Sequence, residues 1–450
     1  MRIEGSRGPL TQAKSDAILA NLKANSPETS ILGHHLAIEE ALTENALTAG
    51  NRVTLLEDGK ATYTAMLAAL RAAKSSINME AYIFEDDDVG AEFASVLKSR
   101  AQAGVKVRLI YDSVGSNKTP KEFFADLASS GVQVVEFNPL SPETVVKAGP
   151  FALNHRDHRK LTVIDGKVAF LGGINISGVY GSLGASRSGA SGSSGGVSGS
   201  KGEGKEGKGY DPRDPPFAKR PWRDTQVRIE GPAVADLQHS FVDHWAEQKK
   251  EDLSPDKAFF PALAAQGPSI VRVIEGKPGN KGYNEVYLTV ISAIDSAETD
   301  VRITMAYFVP HPELLRALKD AARRGVDVQL VLPSRTDSWL VFQAGRSFYE
   351  DLLEAGVKIY ERKTRLLHAK TATIDGVWST VGSTNLDWRS LVDNDELNAV
   401  ILGPEFAGQM NAAFAQDVGN SNPITREGWA HRGIADRLKE AAARAWARLL

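Results

Sequence analysis

The 450-residue chain is long enough for two ordinary domains, and its 42% hydrophobic and 24% charged content is that of a globular protein. A formal net charge of −3 excludes a whole-chain electrostatic affinity for nucleic acid or for an anionic membrane, so any basic surface must be local. The absence of cysteine excludes disulfides, thiolate nucleophiles and Cys-ligated zinc, and it fits a reducing compartment.

Residues 1–50 read as an N-terminal extension. Met1 to Ser30 mixes Arg, Glu, Lys and Pro and has no apolar stretch of the signal-peptide kind. Nowhere do ~18 apolar residues run together, so no membrane-spanning helix is expected.

A first α/β unit is read over 51–245. An amphipathic helical pattern from Ala61 to Ala73 precedes the apolar strand Ile77-Asn78-Met79-Glu80-Ala81-Tyr82-Ile83-Phe84. A helix that stops at Gly104 leads into the strand Val105 to Tyr111, and another that stops at Gly131 leads into Val132-Gln133-Val134. There follow His158-Arg159-Lys160-Leu161-Thr162-Val163-Ile164-Asp165, an Asp-Gly turn, and Gly172-Gly173-Ile174-Asn175. Gly181 to Gly209 is almost wholly Gly, Ser, Lys and Glu and reads as a disordered insertion without apolar anchors. Order resumes at Pro221-Trp222-Arg223-Asp224.

The same succession returns over 246–403. Glu285 to Ala297 is the amphipathic helix, Val301 to Phe308 the apolar strand, and Gly325 and Gly356 stop helices before Val326 to Leu332 and Val357-Lys358-Ile359. The second motif is His368-Ala369-Lys370-Thr371-Ala372-Thr373-Ile374-Asp375, followed at the same offset by Gly382-Ser383-Thr384-Asn385. Residues 404–450 read as a C-terminal helical segment. Its last stretch carries Ile434, Leu438, Ala442, Ala445 and Leu449 along one side, and a helix docked on the body is expected there. Strands alternating with helices, twice over, predict two pseudo-symmetric α/β domains, each a largely parallel mixed sheet flanked by helices. A site built from both halves would lie at their pseudo-two-fold interface.

In each motif His and Lys stand two apart on a strand, so their side chains face the same way. Two facing imidazoles can divide the work, one attacking as nucleophile while the other protonates a leaving oxygen. Two lysines and two asparagines supply donors around an anion, which suits a phosphate held through an in-line displacement. Lysine is a poor metal ligand and no His/Asp/Glu group has metal-ligand spacing in the sequence, so neither a metal nor another cofactor is expected.

The paired motifs, each with an Asn at the same offset, resemble the phospholipase D superfamily, and within it the bacterial cardiolipin synthases. The likeness runs from about Asn51 to the C-terminus, leaving out the Gly/Ser insertion. It is carried by Ile77 to Phe84, Asn154 to Ile176, Pro221 to Ala233 and His368 to Leu402, above all by Gly382-Ser383-Thr384-Asn385-Leu386-Asp387-Trp388-Arg389-Ser390 and Asn394-Asp395-Glu396-Leu397-Asn398. The domains would then be of phospholipase D type. Many cardiolipin synthases begin with two transmembrane helices; this chain resembles the shorter, peripheral members, which places it in the cytoplasm against the inner membrane.

The resemblance implies that His158 attacks phosphorus to form a covalent phosphatidyl-histidine, while His368 serves as acid and base. It further implies that Lys160, Lys370, Asn175 and Asn385 bind phosphate oxygens. Asp165 and Asp375 stand an odd number of positions from their histidines and take a positioning role. The carboxylates that hold the imidazole tautomers are Asp224 and Glu396. With the insertion set aside, each follows the histidine of its own half at a comparable distance, so Asp224 is assigned to His158 and Glu396 to His368. The implied substrates are phospholipids at a membrane surface, with phosphatidylglycerol as donor and cardiolipin as product. Hydrolysis, as in a phospholipase D, and metal-independent cleavage of nucleic acid use the same core chemistry. The chain's mild acidity and its lack of an Arg/Lys-rich tract weigh against a nucleic-acid partner.

Overall fold

The computed structural model describes residues 1–139, 154–181, 220–249, 251–254, 259–278 and 284–446. The Gly/Ser insertion read at 181–209 lies, except for Gly181, outside the described residues.

In the first half the strands run in the order Leu47–Glu57, Thr225–Glu230, Val168–Gly172, Leu161–Ile164, Ser76–Ala81, Lys106–Asp112, Gln133–Phe137. The second half repeats it with Ser269–Gly276, Asn394–Leu402, Trp378–Gly382, Lys370–Ile374, Asp300–Met305, Asp327–Pro333, Lys358–Arg362. The mixed sheet is there in both halves. Its parallel part is the last three strands of each series, which are joined by helical crossovers; every other neighbouring pair is antiparallel. The antiparallel part comes from the motifs themselves. Each motif strand turns back on its successor through Asp-Gly with both residues at positive φ, 53° and 61° at Asp165-Gly166 and 50° and 61° at Asp375-Gly376, the pattern of a type I′ turn. The strands Leu47–Glu57 and Ser269–Gly276 pair with each other antiparallel and join the two sheets into one network.

Each sheet is covered on both faces. Alternation along Lys106–Asp112 sends Leu109 to one side and Ile110 to the other. Leu109 packs with the helices Asp58–Ala72, Asp88–Gln102 and Lys121–Ser129; Ile110 packs with Ala233–Lys249. In the second half Glu285–Asp295, Pro312–Arg323 and Tyr349–Ala355 lie on one face and Pro404–Gly419 on the other. Val271, Leu397, Ala399 and Ile401 share a core with Val227, Ile229 and Phe241, so the halves are welded by apolar packing.

The structure moves the boundaries drawn from sequence. Residue 245 lies inside the unbroken helix Ala233–Lys249, whose Trp245 is in the shared core, so the first unit runs on to the end of that helix. Pro404–Gly419 covers the second sheet as Ala233–Lys249 covers the first, and Ser421–Ile424 adds an edge strand against Lys358–Arg362. The stretch after 403 therefore completes the second half and is not wholly helical. Residues 1–46 are no free extension: Ile3–Glu4 pair with Leu47–Thr48, and the rest packs on the second half. Ile31, Leu32 and Leu36 enter its core, and Glu39 neutralises the fully buried Arg272 at 2.9 Å.

Candidate active site

The chain entering each motif pairs with the other half. Arg156–Asp157 lie parallel to Asn394–Asp395, and Arg223 bridges Leu367. The His158 amide donates to Asp395 O at 3.0 Å and the His368 amide to Arg223 O at 2.8 Å. Both motifs are thereby anchored at the pseudo-dyad, and the side chains of both histidines and both lysines are buried there.

The carboxylate assignments cross over. His158 Nδ1 lies 3.0 and 3.1 Å from the Glu396 oxygens, and His368 Nδ1 lies 2.7 Å from Asp224 Oδ2. This corrects the sequence assignment, which kept each carboxylate in its own half. The internal repeat makes Asp224 and Glu396 equivalent to each other. Which histidine each one meets is set by the parallel pairing across the dyad, where residue 223 meets 367 and residues 394–395 meet 156–157.

The two carboxylates are held differently. Glu396 also accepts from Ser383 Oγ at 2.5 Å and Ser390 Oγ at 2.7 Å. Burial pushes it up, but the His158 contact, Lys160 and the Ser383 hydroxyl outweigh that and hold it at about 2, firmly ionised. Asp224 accepts from the Thr225 amide at 2.7 Å and lies against Gly173, where a side chain would stand far inside van der Waals contact with the carboxylate. Gly173 is thus required by close approach, while its counterpart Ser383 supplies a donor. Burial lowers His158 to about 4 and also lowers His368, so both imidazoles are neutral near pH 7.

Burial likewise lowers Lys160, to about 7, and Lys370. Each ammonium donates to the carbonyl of its own motif histidine, and Lys370 Nζ also comes within 3.1 Å of His368 Nδ1. Lys160 sits 5.2 Å from the Tyr82 ring centroid and Lys370 6.0 Å from that of Tyr307. Two buried lysines beside two neutral imidazoles can receive an anionic group such as a phosphodiester.

Asn175 is committed to local bonds. Its Oδ1 accepts from the Ile83 amide at 3.0 Å and its Nδ2 donates to Tyr180 OH, also at 3.0 Å. Tyr180 OH is in turn 3.3 Å from His368 Nδ1. Asn385 is buried, and its Oδ1 has no partner among the described residues. Asp165 lies outside the site and accepts from the amides of Lys74, Ser75 and Ser76, while Asp375 does the same for Glu298, Thr299 and Asp300. They fasten the motif turns to the start of the neighbouring strands.

Several aromatic residues at the site are not among the site residues read from the sequence. The rings of Tyr82, Tyr307 and Trp222 lie beside the histidines, with centroids 5.0 Å from His158 and 6.2 and 5.4 Å from His368. Tyr82 and Tyr307 each follow an Ala at the end of the repeated strand, which was the available signal; Tyr180 and Trp222 have no such echo. Behind His158, Glu80, Asp157 and His244 form a buried group with metal-ligand spacing. The Arg159 guanidinium lies 3.3 Å from Glu80 and 3.1 Å from Asp157 and supplies the positive charge there, so these residues do not fit a metal centre.

Residues 66–180 and 290–418 match the family described as cardiolipin synthase, PLD-like domain, one motif to each span. The chain is 32% identical over 440 residues to a cardiolipin synthase of Halalkalibacterium halodurans, covering 97% of this chain and 80% of that one. It is also 32% identical over 431 residues to a cardiolipin synthase of Alkalihalophilus pseudofirmus, covering 95% and 78%. Among solved structures, a phosphatidylserine synthase of Haemophilus influenzae superposes over 92% of this chain and 97% of its own with a TM-score of 0.65. At 13% identity that likeness is one of fold.

Proposed function

Because the chain belongs to the family of cardiolipin synthase, phospholipase D-like domains, we propose that it transfers a phosphatidyl group between phospholipids and forms cardiolipin from phosphatidylglycerol. The observation that carries this reading is the single centre in which His158 and His368 each have Nδ1 held by the other half's carboxylate. That contact leaves Nε2 of one ring with its lone pair free for phosphorus and gives the other ring a partner for the positive charge it takes up.

The reaction proceeds in two displacements. His158 Nε2 bonds to phosphorus as the bond to the glycerol oxygen breaks, and protonated His368 gives its proton to that oxygen, releasing glycerol. A hydroxyl of the second phosphatidylglycerol then passes its proton to His368 and attacks phosphorus, which breaks the N–P bond and frees His158. Lys160 and Lys370 stabilise the charge on the equatorial oxygens. Burial disfavours the charged form of His368, and an arriving anion, by lifting its proton affinity, charges the acid as the substrate binds. The substrates lie in a membrane and the protein meets them from its surface; among the described residues no helix is long and apolar enough to cross one.

The test is a product assay on phosphatidylglycerol vesicles with chelator present. Cardiolipin and glycerol in equal amounts from the wild type, and neither from His158→Ala, is the expected result. Phosphatidic acid in place of cardiolipin makes the protein a hydrolase, and cleavage of DNA with the lipids left intact makes it a nuclease.

A further inference from the structure

Five large apolar side chains are exposed among the described residues: Val179, Trp339, Ile434, Leu438 and Trp446. Such residues scattered singly need no explanation. These are not scattered. Ile434, Leu438 and Trp446 lie on or just beyond the helix Ile434–Ala445, which packs beside the helix Trp339–Arg346 that begins with Trp339.

The C-terminal helix is docked, as its sequence predicts, but through the opposite side. Glu440 and Ala443 are buried, with Glu440 held by Arg432 at 3.0 Å and Arg346 at 3.8 Å. Of the apolar stripe read from sequence, Ile434, Leu438, Ala442 and Ala445 are exposed, and Leu449 lies outside the described residues. Ile434 is 78% exposed, Leu438 66%, Trp446 57% and Trp339 52%, and none of the described residues covers them.

Two further observations identify the occupant. The patch is tied to the catalytic centre along the chain: Trp339 stands two residues after Asp337, which accepts from Tyr307 OH at 2.5 Å, and the Tyr307 ring faces His368 and Lys370. Val179 likewise precedes Tyr180, which contacts His368. The C-terminal helix also carries positive charge. Its Arg444 lines a surface groove of about 290 Å³ with Arg316, Lys319, Asp320 and Arg323. Asp295, Asp320 and Asp351 pair with these four cations and leave one in excess. On the helix itself Arg437 donates, among the described residues, to the carbonyl of Ala430.

We propose that the face carrying Trp339, Ile434, Leu438 and Trp446 is the surface on which the protein rests on a bilayer containing anionic phospholipid. Aromatic and aliphatic side chains enter the headgroup boundary, the arginines of the helix meet phosphates, and the mouth of the site is held against the lipid layer. The inference rests on the lipid substrate of the preceding section, but its test is separate.

The full chain is floated with phosphatidylglycerol vesicles and with phosphatidylcholine vesicles. The wild type binds the former, and the triple variant Ile434→Ser/Leu438→Ser/Trp446→Ser loses at least about tenfold in partitioning, because three exposed apolar anchors are removed. The same variant turns over phosphatidylglycerol dispersed in detergent micelles at the wild-type rate. Trp339→Ser, made separately, weakens flotation too and keeps the test open should the triple variant not fold. Flotation unchanged in both variants overturns the proposal. So does a wild-type dimer that the triple variant converts to monomer without change in vesicle binding, because the stripe is then a subunit contact. A protein that binds vesicles through this stripe yet makes no product from any form of the lipid upholds the surface and sinks the substrate assignment.

Discussion

Replacing Glu396 by Gln removes one charge from the centre and almost no volume. Glu396 receives the His158 ring and the hydroxyls of Ser383 and Ser390, all buried. An amide keeps one acceptor oxygen and brings two hydrogens into a place already filled with donors. One hydrogen bond to a buried charge is worth about 1.5–3 kcal/mol, or roughly 10- to 150-fold in rate. Release of the His158 tautomer carries the loss further, toward the ~10⁴-fold cost of the same change in a Ser-His-Asp site. A kcat reduced between about 100- and 10,000-fold is therefore expected. The crossed pairing adds a sharper expectation in the ring-nitrogen NMR of the two histidines. Glu396→Gln moves the Nδ1 resonance of His158 and leaves that of His368, while Asp224→Asn does the reverse. The assay is initial-rate cardiolipin formation with thermal melts to confirm folding. If Asp224→Asn, and not Glu396→Gln, moves the His158 resonance, the crossed arrangement is wrong.

Lys160, lowered to about 7 by burial, holds its charge below that pH and loses it above, while His158, lowered to about 4, is protonated and non-nucleophilic only below that. The first displacement also needs the His368 proton, which burial lowers below the ordinary histidine value. The pH profile of kcat/KM should thus already fall on the alkaline side below about pH 6.5, more steeply above about pH 7 as Lys160 loses its charge, and on the acid side only near pH 4; a plateau running on beyond about pH 9 contradicts it. Gly173→Ala pushes the Asp224 carboxylate out of position and should lower kcat at least about tenfold with a preserved fold, as read by rates and circular dichroism; wild-type turnover would mean that the carboxylate shifts freely. Asp375→Ala strips an acceptor from the amides of Glu298, Thr299 and Asp300. It should cost about 2–4 kcal/mol in denaturant unfolding, whereas an unchanged midpoint would deny Asp375 its fastening role.

Much of the centre was legible in the sequence because its chemistry is written locally. His and Lys two apart on a strand, the Asp-Gly turn after each motif, and the Asn at a fixed offset are short-range facts that the duplication repeats. The crossed carboxylates were not legible, since a repeat shows which residues are equivalent and never which ones touch across the dyad. Tyr180 has no echo in the second half, and only the fold brings it to His368. Residues 1–46 have no repeat partner either, and their place follows from burial, as when Glu39 neutralises Arg272. The C-terminal helix shows the limit of periodicity: spacing identifies the stripe of Ile434 and Leu438 but not that Glu440, on another side, takes the buried position.

The most direct test of the account traps the intermediate. His368→Ala, lacking the acid and base, is given acyl-labelled phosphatidyl-p-nitrophenol, whose leaving group departs without a proton donor. The account predicts one burst equivalent of p-nitrophenol per chain and the phosphatidyl label on the peptide that holds His158. Label on any other residue, or release of p-nitrophenol with no label retained, contradicts it.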